Sequence, residues 1–341
     1  MSERRPSPYL VSPVYDWAFF LLPPLFSLLL GVAISGTALT ERRFTLAGQE
    51  TTCAKFAIGA LIHAHLVAVL FRSHGNAQIR RLHPVRFFIV PVLLFLAIRW
   101  SAWIALSSTV VAVWWDIWHS GAQTFGFGRI YDRNAGNPPE LGRRLDYWLN
   151  HLLYAGPIVG GVTLVDHLVQ LEGYKELGTT LFAAVPIYAE SWRRYLALAV
   201  MAAGTLYLAY YVYAYVSLCR RGYRVSFLKV FLVVTTGACS IYTWGLNSWG
   251  EAFFIMNLFH AVQYLALVWA TEQRQLVRLA GPVGKRKAAV VALYLAAVLT
   301  YGLGAELVDL KLETLWTITM VVALLHFYYD GFIWSVAKRQ I

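Results

Sequence analysis

The chain is predicted to be an all-α, polytopic integral-membrane protein: a helical bundle of about ten transmembrane helices with both termini cytoplasmic. Two features of its 341 residues predict this class. Hydrophobic residues make up 58% and charged residues only 14%, and the mean hydropathy is +0.54, far from the averages of soluble proteins. The charges that do occur sit in short clusters between apolar runs long enough to cross a hydrocarbon core.

Taken in order, the apolar runs place spans at residues 17–39, 52–71, 87–100, 103–127, 147–165, 195–218, 227–244, 252–269, 288–307 and 315–336. The first contains Pro23-Pro24 and lacks a small-residue cleavage pattern, so it reads as a retained span and not a signal peptide. At Arg99-Trp100-Ser101 only a tight connection fits, and one long bent helix or a re-entrant pair suits the same residues. Residues 179–189 are apolar but too short to span, and Pro186 with its acidic surroundings predicts an interfacial or extramembrane helix. No fixed-period repeat or low-complexity linker divides residues 1–341, which read as a single transmembrane helical domain.

Loop charge sets the orientation. Arg72, Arg80, Arg81 and Arg86 fall in one loop, and Arg129, Arg133, Arg143 and Arg144 in another. Arg220, Arg221 and Arg224 form a third cluster, with Arg274, Arg278, Lys285, Arg286 and Lys287 a fourth. These loops are predicted to be cytoplasmic. The intervening loops carry Glu41 and Glu50, then Asp166, Glu172 and Glu176, then Glu306, Asp309 and Glu313, as the opposite face requires. The alternation predicts an even number of spans in a membrane such as the bacterial inner membrane.

The same distribution excludes several functions. A formal charge of +11 would suit nucleic acid, but the basic residues flank apolar runs, so the partner is the lipid bilayer and not nucleic acid. Cys53, Cys219 and Cys239 show no C-x-x-C spacing, so neither a thiolate zinc site nor a disulfide framework is indicated, and packing roles are expected. There is no G-x-x-x-x-G-K-[ST] phosphate loop, no H-E-x-x-H helix and no G-x-S-x-G elbow.

Histidines carry the chemistry. His119, His260 and His326 sit near the middle of apolar runs, each with a polar residue one helical turn away. Histidine is costly in hydrocarbon, so repeated instances point inward at something they bind. At about 1.5 Å per residue, His63, His65, His119, His151, His260 and His326 all lie roughly 10–18 Å from the charged cytoplasmic boundary of their own helices, in one layer. Asp116 shares a helix face with His119, His119 with Gln123, His260 with Gln263, and His326 with Asp330. His63 and His65 diverge on a regular helix, so only one of them is expected at a common centre. His74 and His83 belong to a basic interfacial loop and His167 to the opposite face, outside the site.

This donor set predicts one or two metal ions. Neutral imidazoles with carboxylates suit iron first, with copper, zinc or manganese as alternatives. His119, His260 and His326 are the predicted ligands, with His63 or His65 as a fourth and His151 as a fifth or as ligand to a second metal. Asp116, Asp330, Gln123, Gln263 and Asn257 either ligate or orient the rings. Trp118 and Tyr264 lie deep enough to line an apolar substrate pocket, whereas Trp269 and Trp334 fit an interfacial aromatic belt. The segment Gly126-Phe127-Gly128-Arg129-Ile130-Tyr131-Asp132-Arg133 reads as a helix stop with positive-inside anchoring; its alternative is a grip on a carboxylate or phosphate headgroup.

Dispersed histidines on successive membrane helices, as with His119, His260 and His326, resemble the Brp/Blh carotene dioxygenase class, polytopic membrane proteins that hold a non-haem iron through histidines. The resemblance implies oxygen-dependent chemistry on a lipid-soluble substrate. The boxes of membrane fatty-acid desaturases are absent, and His63-Ala64-His65 is not one of them. The expected function is therefore a membrane metal-dependent oxidoreductase whose partners are an apolar small molecule and an electron donor. Two alternatives use the same layer: a haem-bearing electron carrier with two axial histidines, and a metal-ion or proton transporter, for which Pro157 with Gly156, Gly160 and Gly161 hints at an interrupted helix.

Overall fold

The computed structural model describes residues 7–168, 180–308 and 313–334. Ser12 accepts a hydrogen bond from the Tyr15 amide and so caps α1 (Pro13–Asp16). A π-helical turn, Trp17–Leu21, leads to α2 (Pro23–Ile34), and the two halves meet at 47°. Pro23 disfavours helical backbone at the residue before it and has no amide hydrogen to donate. The span expected at 17–39 is therefore a broken pair. After α3 (Ala38–Glu41), capped by Thr37, comes a hairpin absent from the all-helical expectation: β1 (Arg43–Leu46) pairs antiparallel with β2 (Gln49–Thr52). Its two-residue turn, Ala47-Gly48, has positive φ at both positions, which suits the twist of the flanking strands.

Thr52 ends the hairpin by capping α4 (Cys53–Ser73), and Asn76 caps α5 (Ala77–Leu82). α6 (Pro84–Trp100) and α7 (Ala102–Asn134) meet at extended Ser101 and differ in direction by 118°. Of the arrangements open from sequence, the chain takes the sharply bent pair. α8 (Arg143–Val159) is followed by the short α9 (Leu164–Leu168). Residues 180–189 continue directly into α10 (Thr180–Arg220), with Pro186 inside it, in place of the separate interfacial helix expected. α11 (Phe227–Ser240) runs on through a π-helical turn, Ile241–Leu246, to α12 (Ala252–Leu279). α13 (Lys287–Glu306) and α14 (Glu313–Ile333) close the order.

Among the described residues six helices are long and apolar enough to cross a membrane, and eight if each bent pair is one span. The clearest is Ala184–Arg220. Leu198, Met201, Leu206, Tyr210 and Tyr213 are all exposed on it, a surface that water would penalise and hydrocarbon would not.

The chain gathers into two units. The first, Met1–Leu30 with Val113–Met256, is organised around buried charge. Arg129 donates to Asp132 and Asp146 at 2.6 Å each, and its other nitrogen donates to the carbonyls of Pro139 and Leu141. Lys229 reaches Asp146 at 2.8 Å, and Tyr211 and Tyr215 donate to the other oxygen of that carboxylate at 2.8 and 2.6 Å. Tyr223, in the loop after α10, donates to Asp132, and burial followed by that bond holds its phenol well above the ordinary range. Asn137 ties the end of α7 to the same loop through the Arg224 amide and carbonyl. The segment Gly126–Arg133 does close the helix, since α7 ends at Asn134, but its expected anchoring role is corrected: Arg129 is a buried partner of internal carboxylates, not a surface anchor.

The second unit comprises Gly31–Ala112 and Asn257–Ile341. Its tightest packing joins α4 to α13. A side chain at Gly302 would enter the backbone of Ala60 and Ala64, so the two helices approach through small residues. Gly302→Leu is expected to cost at least the roughly 1–3 kcal/mol of core overpacking and to displace α4. A thermal midpoint equal to wild type in lipid nanodiscs would contradict this packing. Arg72, expected in a cytoplasmic loop, is also corrected. It is buried at the end of α4, paired with Glu272 at 2.5 Å, donates twice to the Ile333 carbonyl, and lies over the Trp334 ring at 4.1 Å.

Candidate metal centre

Three helices of the second unit each deliver one histidine to a common point. His65 comes from α4, His260 from α12 and His326 from α14, and all three rings are essentially inaccessible. One nitrogen from each lies within 4.8 Å of the others. The rings stand edge to face: His65 is 5.0 Å from His260 at 88° and 5.1 Å from His326 at 89°, between centroids. Three nitrogens each roughly 2.1 Å from one ion lie about 3.0–3.6 Å apart, so the three rings would draw together to close on an ion.

The tautomer of His326 suits that role. Its Nδ1 lies 3.1 Å from the Leu66 carbonyl, which can only accept, so Nδ1 carries the hydrogen and Nε2 of the neutral ring keeps its lone pair. Nε2 is also the nitrogen 3.7 Å from Oδ2 of Asp330, one turn further along α14. The second oxygen, Oδ1, accepts from the Tyr264 hydroxyl at 2.9 Å and from the Trp334 indole at 2.8 Å. Two donors thus fix the carboxylate with one oxygen toward the histidines. The ring of Tyr264, itself buried, lies tilted 4.5 Å from His326 and edge-on 6.0 Å from His65, between centroids.

The other residues singled out from sequence come from several helices. Of the α4 pair, His65 reaches the cluster; His63 turns its Nε2 toward Glu306 at 3.7 Å. Glu306, expected in a loop, is the last residue of α13 and occupies the space left by Gly59. Gln263 and Asn257 are buried on α12. Asp116, His119 and Gln123 lie on α7 in the first unit, with His119 buried. His151, also in the first unit, packs flat on Trp118 at 3.6 Å with Tyr147 against its edge. Trp118 is itself 42% exposed.

The three histidines set aside from sequence make local contacts. His74 bridges the Ser73 hydroxyl and the Phe87 carbonyl, and His83 packs on Phe332. His167 is buried against Trp244 and Phe253 with Nδ1 on the Thr163 carbonyl, and burial pushes its imidazole below the usual histidine range. The buried pairs Arg72–Glu272 and Lys229–Asp146 went unread because each joins helices far apart in sequence. Their one local signal is a charge set just inside an apolar run.

In comparisons with known proteins, no family model, no curated protein and no solved structure matches this chain.

Proposed function

We propose that this chain is an integral-membrane, metal-dependent oxidoreductase that carries iron at the His65–His260–His326 cluster and acts on a lipid-soluble substrate. The supporting observation is the convergence of three buried imidazoles from three helices, one of them with its hydrogen committed to a backbone carbonyl. An all-imidazole set with a nearby carboxylate suits iron, and copper, zinc or manganese would find the same donors. Bound iron would supply one-electron exchange and open positions for dioxygen or substrate. The chain's own part is to hold neutral nitrogens, to place Asp330 as counter-charge, and to exclude water by burial.

The reading keeps the topology expected from loop charge: ten spans, both termini cytoplasmic, in a membrane such as the bacterial inner membrane. It also keeps the resemblance to Brp/Blh carotene dioxygenases at the level of reaction class. An apolar substrate follows from the site's surroundings, since His65, His260 and His326 all lie on helices long and apolar enough to cross a bilayer.

The test is oxygen uptake by protein reconstituted anaerobically with ferrous iron and supplied with a total membrane-lipid extract or a carotenoid. Uptake is expected to need both the metal and an apolar substrate. No uptake above the metal-free protein, or a haem absorption band in the purified protein, would contradict the proposal. Asp330→Ala is expected to weaken metal binding by roughly 10–100-fold, the usual effect of losing an outer carboxylate partner, since it removes the counter-charge 3.7 Å from Nε2 of His326. Isothermal titration against Asp330→Asn, which retains the hydrogen-bond acceptor, checks this.

A further inference from the structure

We propose that Trp334 and Tyr264 form a two-step electron relay into the histidine cluster, with Asp330 as the proton acceptor they share. This rests on the redox reading of the cluster given above and adds the route by which electrons reach it.

Tyrosine and tryptophan can each give up one electron, and on doing so the phenol or indole hydrogen becomes strongly acidic. In an apolar interior a radical cation that cannot shed that proton is a buried, uncompensated charge. Both hydrogens here point at the same atom, Oδ1 of Asp330, at 2.9 Å from Tyr264 and 2.8 Å from Trp334. The rings are in series: Tyr264 is 4.5 Å from His326 and 6.1 Å from Trp334, between centroids. Their exposure is graded in the same order. Tyr264 is buried, whereas Trp334 is half-buried and lies just beyond α14, beneath the Arg72 guanidinium. In the proposed topology this end faces the cytoplasm.

An interfacial aromatic belt would account for Trp334 alone. It would not account for an indole and a buried phenol donating to one carboxylate oxygen beside three imidazoles.

The transfers balance. Tyr264 gives one electron to the centre as its O–H bond breaks and the proton passes to Asp330, leaving a neutral tyrosyl radical. Trp334 then gives one electron to that radical while the proton returns from Asp330 to the phenol oxygen. The indole N–H proton moves onto the vacated carboxylate. A water-soluble one-electron reductant at the Trp334 end restores the indole, and Asp330 hands the proton back. One electron has reached the centre and every proton is where it began.

The test uses the full chain in lipid nanodiscs, freed of metal by chelation, with photo-oxidised ruthenium tris-bipyridine as electron acceptor. Freeze-trapped electron paramagnetic resonance is expected to show a neutral tyrosyl radical with an exchangeable-proton coupling from its carboxyl partner. That component should be lost in Tyr264→Phe and in Trp334→Phe, with helical content unchanged by circular dichroism. The same component at wild-type intensity in either variant would overturn the relay. Should Tyr264→Phe not fold, Trp334→Phe, at a half-buried position, decides alone. Iron uptake by the same preparations is read separately. Failed uptake would count against the redox centre and leave the radical assignment standing, whereas normal uptake without the radical would count against the relay.

Discussion

Replacing Asp146 with alanine is expected to destabilise the first unit by about 3–5 kcal/mol, the cost of leaving a buried charge without its partner. Asp146 is 3% exposed and receives Arg129, Lys229, Tyr211 and Tyr215. Without it, two buried cations share Asp132 alone, and two phenols lose their acceptor. The damage should spread, because those partners come from α7, α10 and α11, which this one carboxylate ties to α8. Asp146→Asn keeps the shape and one acceptor but not the charge, so it should fall between alanine and wild type. A surface pair at the start of the same helix provides the contrast: Arg143 lies 4.0 Å from Glu140 in the preceding turn, and both side chains are more than half exposed. Glu140→Ala should leave stability nearly unchanged, as exposed pairs usually do. Thermal unfolding in nanodiscs measures all three. Equal midpoints for Asp146→Ala and Glu140→Ala would show that the buried network carries no special weight.

Much of the fold was legible because a bilayer simplifies the rules. Runs such as 52–71, 227–244 and 288–307 became helices α4, α11 and α13 with ends shifted by a few residues, since apolar length and flanking charge mark helix ends well. The polar stretch Arg43–Thr52 gave no such signal. Its hairpin rests on an Ala47-Gly48 turn in place of the stronger Asn-Gly, and four-residue strands have no room for a clear alternation. Phase along a helix was partly legible too. Spacing indicated that only one of His63 and His65 would point to a shared centre. Which one depends on where α13 and α14 pack, and Gly302 against Ala60 and Ala64 is a tertiary fact.

Charge was harder to read. Arg72 and Arg129 looked like loop and anchor residues because positive-inside patterning explains any arginine near a span end. Their carboxylate partners, Glu272 and Asp146, lie 200 and 17 residues away, and nothing in the local sequence distinguishes a buried pair from a solvated charge. Asp330 was singled out as one turn from His326, yet its two aromatic donors, Tyr264 and Trp334, emerge only when α12 and α14 are side by side.

The account stands on the claim that His65, His260 and His326 together hold a metal ion. His260→Ala is the substitution that tests it most cleanly. The ring is 1% exposed and removing it deletes a proposed ligand from α12, while the Leu66 bond that orients His326 and the donors that hold Asp330 stay in place. The loss of affinity should exceed the roughly 10–100-fold expected of a group that only orients a ligand. The decisive measurement is metal content by mass spectrometry of the purified chain, wild type beside His260→Ala, after equal exposure to ferrous iron and desalting. Stoichiometric metal in the wild type and none above background in the variant is the predicted result; equal metal in the two folded proteins would contradict the account.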